Sequence, residues 1–131
     1  MSRENVAVVR RGLEAWNAGN DDALRELYDP GVIVRSIEGW PEPGPYVGRD
    51  AVMRQWKKQR EAFSADALVV VGDYIDVGDR VAVRVIWRGA GSGPEADIEL
   101  TALFTVRSGL IFATEFFWDH SDALKAVGLE E

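Results

Sequence analysis

The only histidine of this 131-residue chain, His120, stands in the run Trp118-Asp-His-Ser-Asp122, between two carboxylates. A carboxylate close to aromatic rings can have its pKa raised and work as a general acid or base, which makes Asp119 the candidate catalytic residue, with Glu115 as its alternative. Consecutive residues of a strand point to opposite faces, so Asp119 and His120 pair as a dyad only where the strand has already turned. A plainer role competes. The same run directly precedes a helical pattern, where Asp119 or Ser121 would cap the helix and His120 would be a solvated residue at its start. The sequence favours the cap.

Two further sets have the right chemical types. Arg84 with Glu99, and Arg88 with Asp97, fall on neighbouring strand patterns and read first as cross-strand ion pairs. Gly89-Ala-Gly-Ser-Gly93 has the composition of a phosphate cradle, but that motif opens a helix and brings a lysine, whereas this run joins two strands as a hairpin loop. The chain has no cysteine, hence no disulfide, thiolate nucleophile or thiolate-held metal, and one histidine is too few for an imidazole site. No metal and no cofactor are expected.

These groups need a scaffold, and the composition provides for one. With 47% apolar and 28% charged residues the chain can bury a sizeable core, so global disorder is excluded and one domain over 1–131 is expected. No apolar run approaches the roughly 20 residues that span a bilayer. The start, Met1-Ser-Arg-Glu-Asn5, lacks the apolar stretch of a signal peptide, so a cytoplasmic protein without a membrane partner is expected. Residues 1–65 carry ten basic and ten acidic side chains and residues 66–131 carry five and twelve, so the net charge of −7 arises wholly in the second half. That balance disfavours a nucleic-acid partner.

The pattern begins with helices. Val6, Val9, Leu13 and Trp16 form one stripe of a helix over Glu4–Ala18, stopped by Gly19. Asn20 caps a short second helix carrying Leu24, Leu27 and Tyr28, ended by Asp29-Pro30-Gly31. A strand over Val32–Ile37 leads into the Pro-rich loop Glu38–Pro45, and Val52, Trp56 and Phe63 mark a third helix over Arg49–Phe63. Ala67–Val77, Arg80–Gly89, Ala96–Arg107 and Leu110–Asp119 then read as an antiparallel meander, followed by a helical turn over Ser121–Val127. Helices first and strands second make an α+β fold with the helices on one face of a curved sheet. Parity puts Val81, Val83, Val85 and Trp87, then Ile98, Leu100, Ala102 and Phe104, then Phe112, Thr114, Phe116 and Trp118 on the helix-facing side. The reverse side mixes charges with Ile86, Leu103 and Phe117, a surface suited to a homodimer.

The element order, with the strings Trp16-Asn-Ala-Gly19, Glu38-Gly-Trp-Pro-Glu-Pro-Gly44, Gly48-Arg-Asp-Ala-Val52 and Asp119 to Leu129, resembles the SnoaL-like branch of the nuclear transport factor 2-like superfamily. The resemblance implies a cone, a cystatin-like α+β roll in which a bent antiparallel or mixed sheet packs on three N-terminal helices and encloses a pocket. Members of that superfamily use the pocket for isomerisation, cyclisation, epoxide hydrolysis, ligand binding or subunit contact, so fold does not decide function. Aligned with the ketosteroid isomerases, the phenol donor falls at Gly12, the carboxylate base at Ser36 and the protonated acid at Ala102. None of these can supply its role in an enolisation. Resemblance to the polyketide cyclases would put an acid and a histidine in the late strands, here Asp119 and His120. The epoxide-hydrolase set of two acids and an arginine would call on Arg84, Glu99 and Asp119, which parity sends to the reverse face.

Within the pocket that the resemblance implies, Trp16, Trp56, Val85, Trp87, Ala102, Phe116 and Trp118 are the expected apolar lining, with Ser36 and Thr114 as the few polar groups that orient a ligand. Trp40 and Tyr46 sit in or beside the Pro-rich loop, where no periodicity calls for a buried ring, so Trp40 is expected as a lid. The expected partner is a small hydrophobic molecule. A cofactor-free isomerase, cyclase or hydrolase using Asp119 or Glu115 is the alternative, and a dimeric interaction module with a filled cavity is the second.

Overall fold

The structure, a computed structural model, describes residues 2–36, 44–62, 67–88 and 98–128. Helix α1 (Ser2–Ala18) ends where Gly19 takes a φ of +69°, and the turn is closed by Gly19 N–H donating to the Trp16 carbonyl and Asn20 N–H to that of Ala15. Asn20 caps α2 (Asp21–Glu26) by accepting from Ala23 N–H at 3.1 Å. Strand β1 (Tyr28–Arg35), β2 (Tyr46–Val47) and helix α3 (Arg49–Ala62) follow. Then come β3 (Ala67–Val70), β4 (Ile75–Val77), β5 (Arg80–Arg88), β6 (Ile98–Arg107), β7 (Leu110–Phe117) and helix α4 (His120–Ala126). No helix among the described residues is long and apolar enough to cross a membrane.

The seven strands form one sheet in the order β2-β1-β7-β6-β5-β3, with β4 also paired to β5. All pairs are antiparallel except β1 with β7, which run parallel, so the first strand joins the meander's last and makes the sheet mixed. The fold is therefore α+β, a curved and open mixed sheet with α1 crossing β3 to β7 and α3 lying on β1 and β2. A core of Val9, Leu13, Trp16, Val32, Val34, Val52, Trp56, Val81, Val83, Val85 and Ile111 fills the space between.

Four local expectations change. Asp29-Pro30-Gly31 does not end a helix but lies inside β1, where Asp29 Oδ1 accepts from Gly31 N–H at 2.8 Å and the pairing to β7 jumps between Tyr28 and Ile33. The predicted strand over Ala67–Val77 is two, β3 and β4, broken at Gly72, whose φ of +86° a strand cannot carry. Phe112 does not face the helices. Thr105 pairs with Ala113 but Val106 pairs with Ile111, so Phe112 is an extra residue on β7, and this bulge keeps both Ile111 and Thr114 on the inner face. Phe112 turns out, where the Arg107 guanidinium stacks over its ring at 4.4 Å.

The fourth change is on the reverse side of the sheet. Instead of a bare patch, α4 packs there against β5, β6 and β7, burying Ala123 and Leu124 together with Ala82 and Leu103. Leu103, expected at the centre of an open surface, is only 4% exposed in the single chain. Thr101 and His120 lie in hydrogen-bond contact at 3.0 Å between Oγ1 and Nδ1, and Arg80 donates to the Ala126 carbonyl at 3.0 Å, so both ends of α4 are tied to the sheet.

Candidate functional site

Between α1, α2, α3 and the inner sheet face lies a cavity of about 110 Å³. Its walls come from every layer. The helices contribute Leu13, Trp16, Leu24 and Trp56, and the sheet contributes Tyr28, Leu68, Val85, Trp87, Leu100, Phe104 and Ile111 among others. Nine of the eleven residues expected to contact a ligand lie on it: Trp16, Ser36, Trp56, Val85, Trp87, Ala102, Thr114, Phe116 and Trp118. Tyr46 does not. It packs from β2 against the core cluster, because its register partner is Val34 and not a residue at the open end. Trp40 lies outside the described residues.

Two contacts set the shape of the helix side. Trp16 and Trp56 meet edge to face with ring centroids 5.5 Å apart and planes at 84°, the arrangement that brings a ring's positive edge to its neighbour's negative face. Trp56 Nε1 donates to the Tyr28 hydroxyl at 2.8 Å, satisfying a buried indole N–H across from α3 to β1. Next to Trp16, the Asn17 amide donates to the Leu68 carbonyl at 2.9 Å and accepts from Leu68 N–H at 2.8 Å. One side chain thus completes the outer edge of β3 as a further strand would, and holds Trp16 and Leu68 at the same end of the cavity. Arg25 and Asp50 join α2 to α3 at 2.5 Å, and the Arg25 hydrogen bond and charge hold the Asp50 carboxyl below the usual carboxylate range.

Exposure along β7 shows which way the cavity opens. Ile111 and Thr114 are buried at its closed end, Phe116 is half-buried, and Trp118 just past the strand is 54% exposed while still lining the space. Trp118 is therefore at the mouth, with Ser36, which also lines the space, just past the end of the adjoining β1. Gly12 and Ala102 also line the cavity, so all three positions aligned with the ketosteroid-isomerase groups converge on it as hydrogen, hydroxyl and methyl. A methyl group at position 12 would already meet Ile111 Cδ1 at 3.4 Å.

None of the described lining residues carries a charge. Asp119, the candidate acid, lies elsewhere: its Oδ1 accepts from Ser121 N–H at 2.9 Å and from Ser121 Oγ at 2.8 Å, capping α4. The Ser121 hydroxyl and then its N–H hold the Asp119 carboxyl below the usual range, the opposite of what a general acid at neutral pH needs. Glu115 pairs in register with Leu103 and so faces outward, as His120 does on Thr101. Arg84 and Glu99 form an ion pair on the same outer face. Asp97 lies outside the described residues, among which no group of three or more His, Asp or Glu is placed to hold a metal. The sequence reading left out Tyr28, Leu100, Phe104 and Ile111 as site residues, although the inner-face parity of Leu100 and Phe104 was the available signal.

Residues 9–114 match the SnoaL-like domain family. The chain belongs to that family. Among solved structures it is similar to Bal32a from a soil-derived mobile gene cassette, at 21% identity over 88% of each chain with a TM-score of 0.79. It is also similar to a candidate polyketide cyclase from Sinorhizobium meliloti, at 26% identity over 84% of this chain and 93% of that one, TM-score 0.72. TerC, co-crystallized with polyporic acid, shares 16% identity over 95% of this chain and 98% of its own, TM-score 0.74. No functionally curated protein matches the sequence. These similar structures share the fold, and a shared fold does not fix an activity, so the lining of this cavity has to carry the functional argument.

Proposed function

We propose that residues 1–131 form one SnoaL-like domain that binds a small, neutral, largely apolar molecule in the cavity between its helices and sheet. The observation that carries this reading is a lining made of aromatic and aliphatic side chains with no charge among the described residues. An ion moved into such a space would lose its hydration without gaining a counter-charge, whereas an apolar ring would leave water at a gain of about 25 cal/mol per Å². TerC's crystals with polyporic acid support the fold as a host for an organic molecule. Acid–base catalysis through Asp119 has less support, since its carboxylate is engaged by Ser121 outside the cavity.

The test uses toluene and benzoate as probes. Toluene should raise the melting temperature and change the tryptophan fluorescence, because Trp16, Trp56 and Trp87 border the space, and benzoate should do neither. Equal responses to both probes, or none to toluene, would overturn the reading.

A second copy of the chain is the proposed partner. The outer face that α4 leaves uncovered carries half-buried Ile86 and Phe117 and exposed Val69, with Arg84 and Glu99 offering both signs of charge for a two-fold contact.

A further inference from the structure

We propose that Thr114 is the anchor of the cavity and selects a neutral single ring that carries one hydroxyl or carbonyl oxygen at its buried end; this rests on the reading of the cavity as a binding site. Thr114 is 3% exposed, lines the cavity, and its Oγ1 has no hydrogen-bond partner among the described residues. Its register partners on either side, Phe104 on β6 and Val34 on β1, are apolar. Strand β7 is paired along both edges, so the neighbouring backbone groups already serve the ladder. A buried hydroxyl in that position lowers stability unless a polar group reaches it, and valine would fill the same space without that loss. A ligand oxygen is the group the geometry admits.

The class of ligand follows from three constraints. A hydroxyl can donate or accept one bond, which fits a phenol or an aryl carbonyl, and the uncharged lining excludes the corresponding carboxylate. The volume of about 110 Å³ is smaller than the roughly 150 Å³ of an apolar cavity that holds benzene, so a fused pair of rings is too large and a single ring, reaching toward the open end at Trp118, is the largest unit the space admits. The rise in exposure from Thr114 to Trp118 means that the oxygen enters first and any substituent leaves past the Trp118 indole.

Calorimetric titration of phenol and toluene into the wild-type chain and Thr114→Val decides the matter. The affinity ratio of phenol to toluene should fall about tenfold in Thr114→Val, the size of one net hydrogen bond, while toluene affinity stays within about threefold. The variant should melt no lower than the wild type, since the hydroxyl it loses has no partner among the described residues. Thr114→Ser and Thr114→Ala repeat the comparison at closely matched volume, and serine should keep a ratio that alanine loses. An unchanged ratio with toluene still binding would overturn the anchor and leave the cavity reading standing. Failure of toluene to bind even the wild type would overturn both.

Discussion

Trp56 on α3 and Tyr28 at the start of β1 share a buried hydrogen bond of 2.8 Å, indole N–H to phenol oxygen, that spans one wall of the cavity. Removing the acceptor in Tyr28→Phe leaves the Trp56 N–H buried without that partner, and the variant should lose about 1–3 kcal/mol of stability in urea unfolding. Trp56→Ala removes the bond, the edge contact to Trp16 and the core volume together, and should lose about 3–5 kcal/mol. Equal losses in the two variants would mean that the hydrogen bond, not packing, dominates at this wall.

Trp118 should behave in the opposite way. At 54% exposure it contributes little to the core, so Trp118→Ala should change unfolding free energy by less than about 1 kcal/mol. Because it borders the mouth, the same change should weaken toluene binding by roughly 1 kcal/mol or more, about fivefold in dissociation constant. A variant that binds toluene as tightly as the wild type would show that the ring sits deeper than this residue.

Acid should loosen α4 through its cap. The Asp119 carboxyl is held below the usual range by Ser121, and a group whose folded pKa is depressed stabilises the fold above its unfolded pKa. That contribution disappears as pH falls through the depressed value. The protection of the α4 amides, measured as exchange relative to the intrinsic rate at each pH, should therefore fall on acidification below the usual carboxylate range, and less so in Asp119→Asn, whose amide still caps but does not titrate. The same variant should bind toluene unchanged, because Asp119 does not line the cavity.

Two charge insertions on the outer face should separate folding from assembly. Leu103→Arg forces a cation into a position 4% exposed on the face that α4 covers, and should cost several kcal/mol of stability whatever the oligomeric state. Phe117→Arg, at a half-buried position on the same face, should leave the fold within about 1 kcal/mol of wild type and shift light scattering from dimer to monomer. A monomeric wild type would sink the dimer proposal.

Much of this molecule was determined by local order in the sequence. The 3.6-residue spacing of Val9, Leu13 and Trp16 decided which side of α1 is buried, and Gly19 and Asn20 decided where it stops and α2 starts, because these depend only on residues a few positions apart. Alternation along β5 and β6 placed Val85, Trp87 and Ala102 inside for the same reason, and the Asp119 cap is a contact two residues long. What only the tertiary structure decided are the relations between distant segments. The extra residue at Phe112 shifts the phase of β7, and nothing local to Leu110–Phe117 announces it, since the bulge is defined against the partner strand β6. The parallel pairing of β1 with β7 joins segments more than 70 residues apart. The return of α4 over Leu103 turned an expected open patch into core, because parity along a strand says which face a side chain takes but not what will cover that face. Likewise the Thr114 hydroxyl, without a partner among the described residues, is invisible in a list of residue types: a threonine on a strand is ordinary until both neighbouring strands are in place and neither supplies a bond.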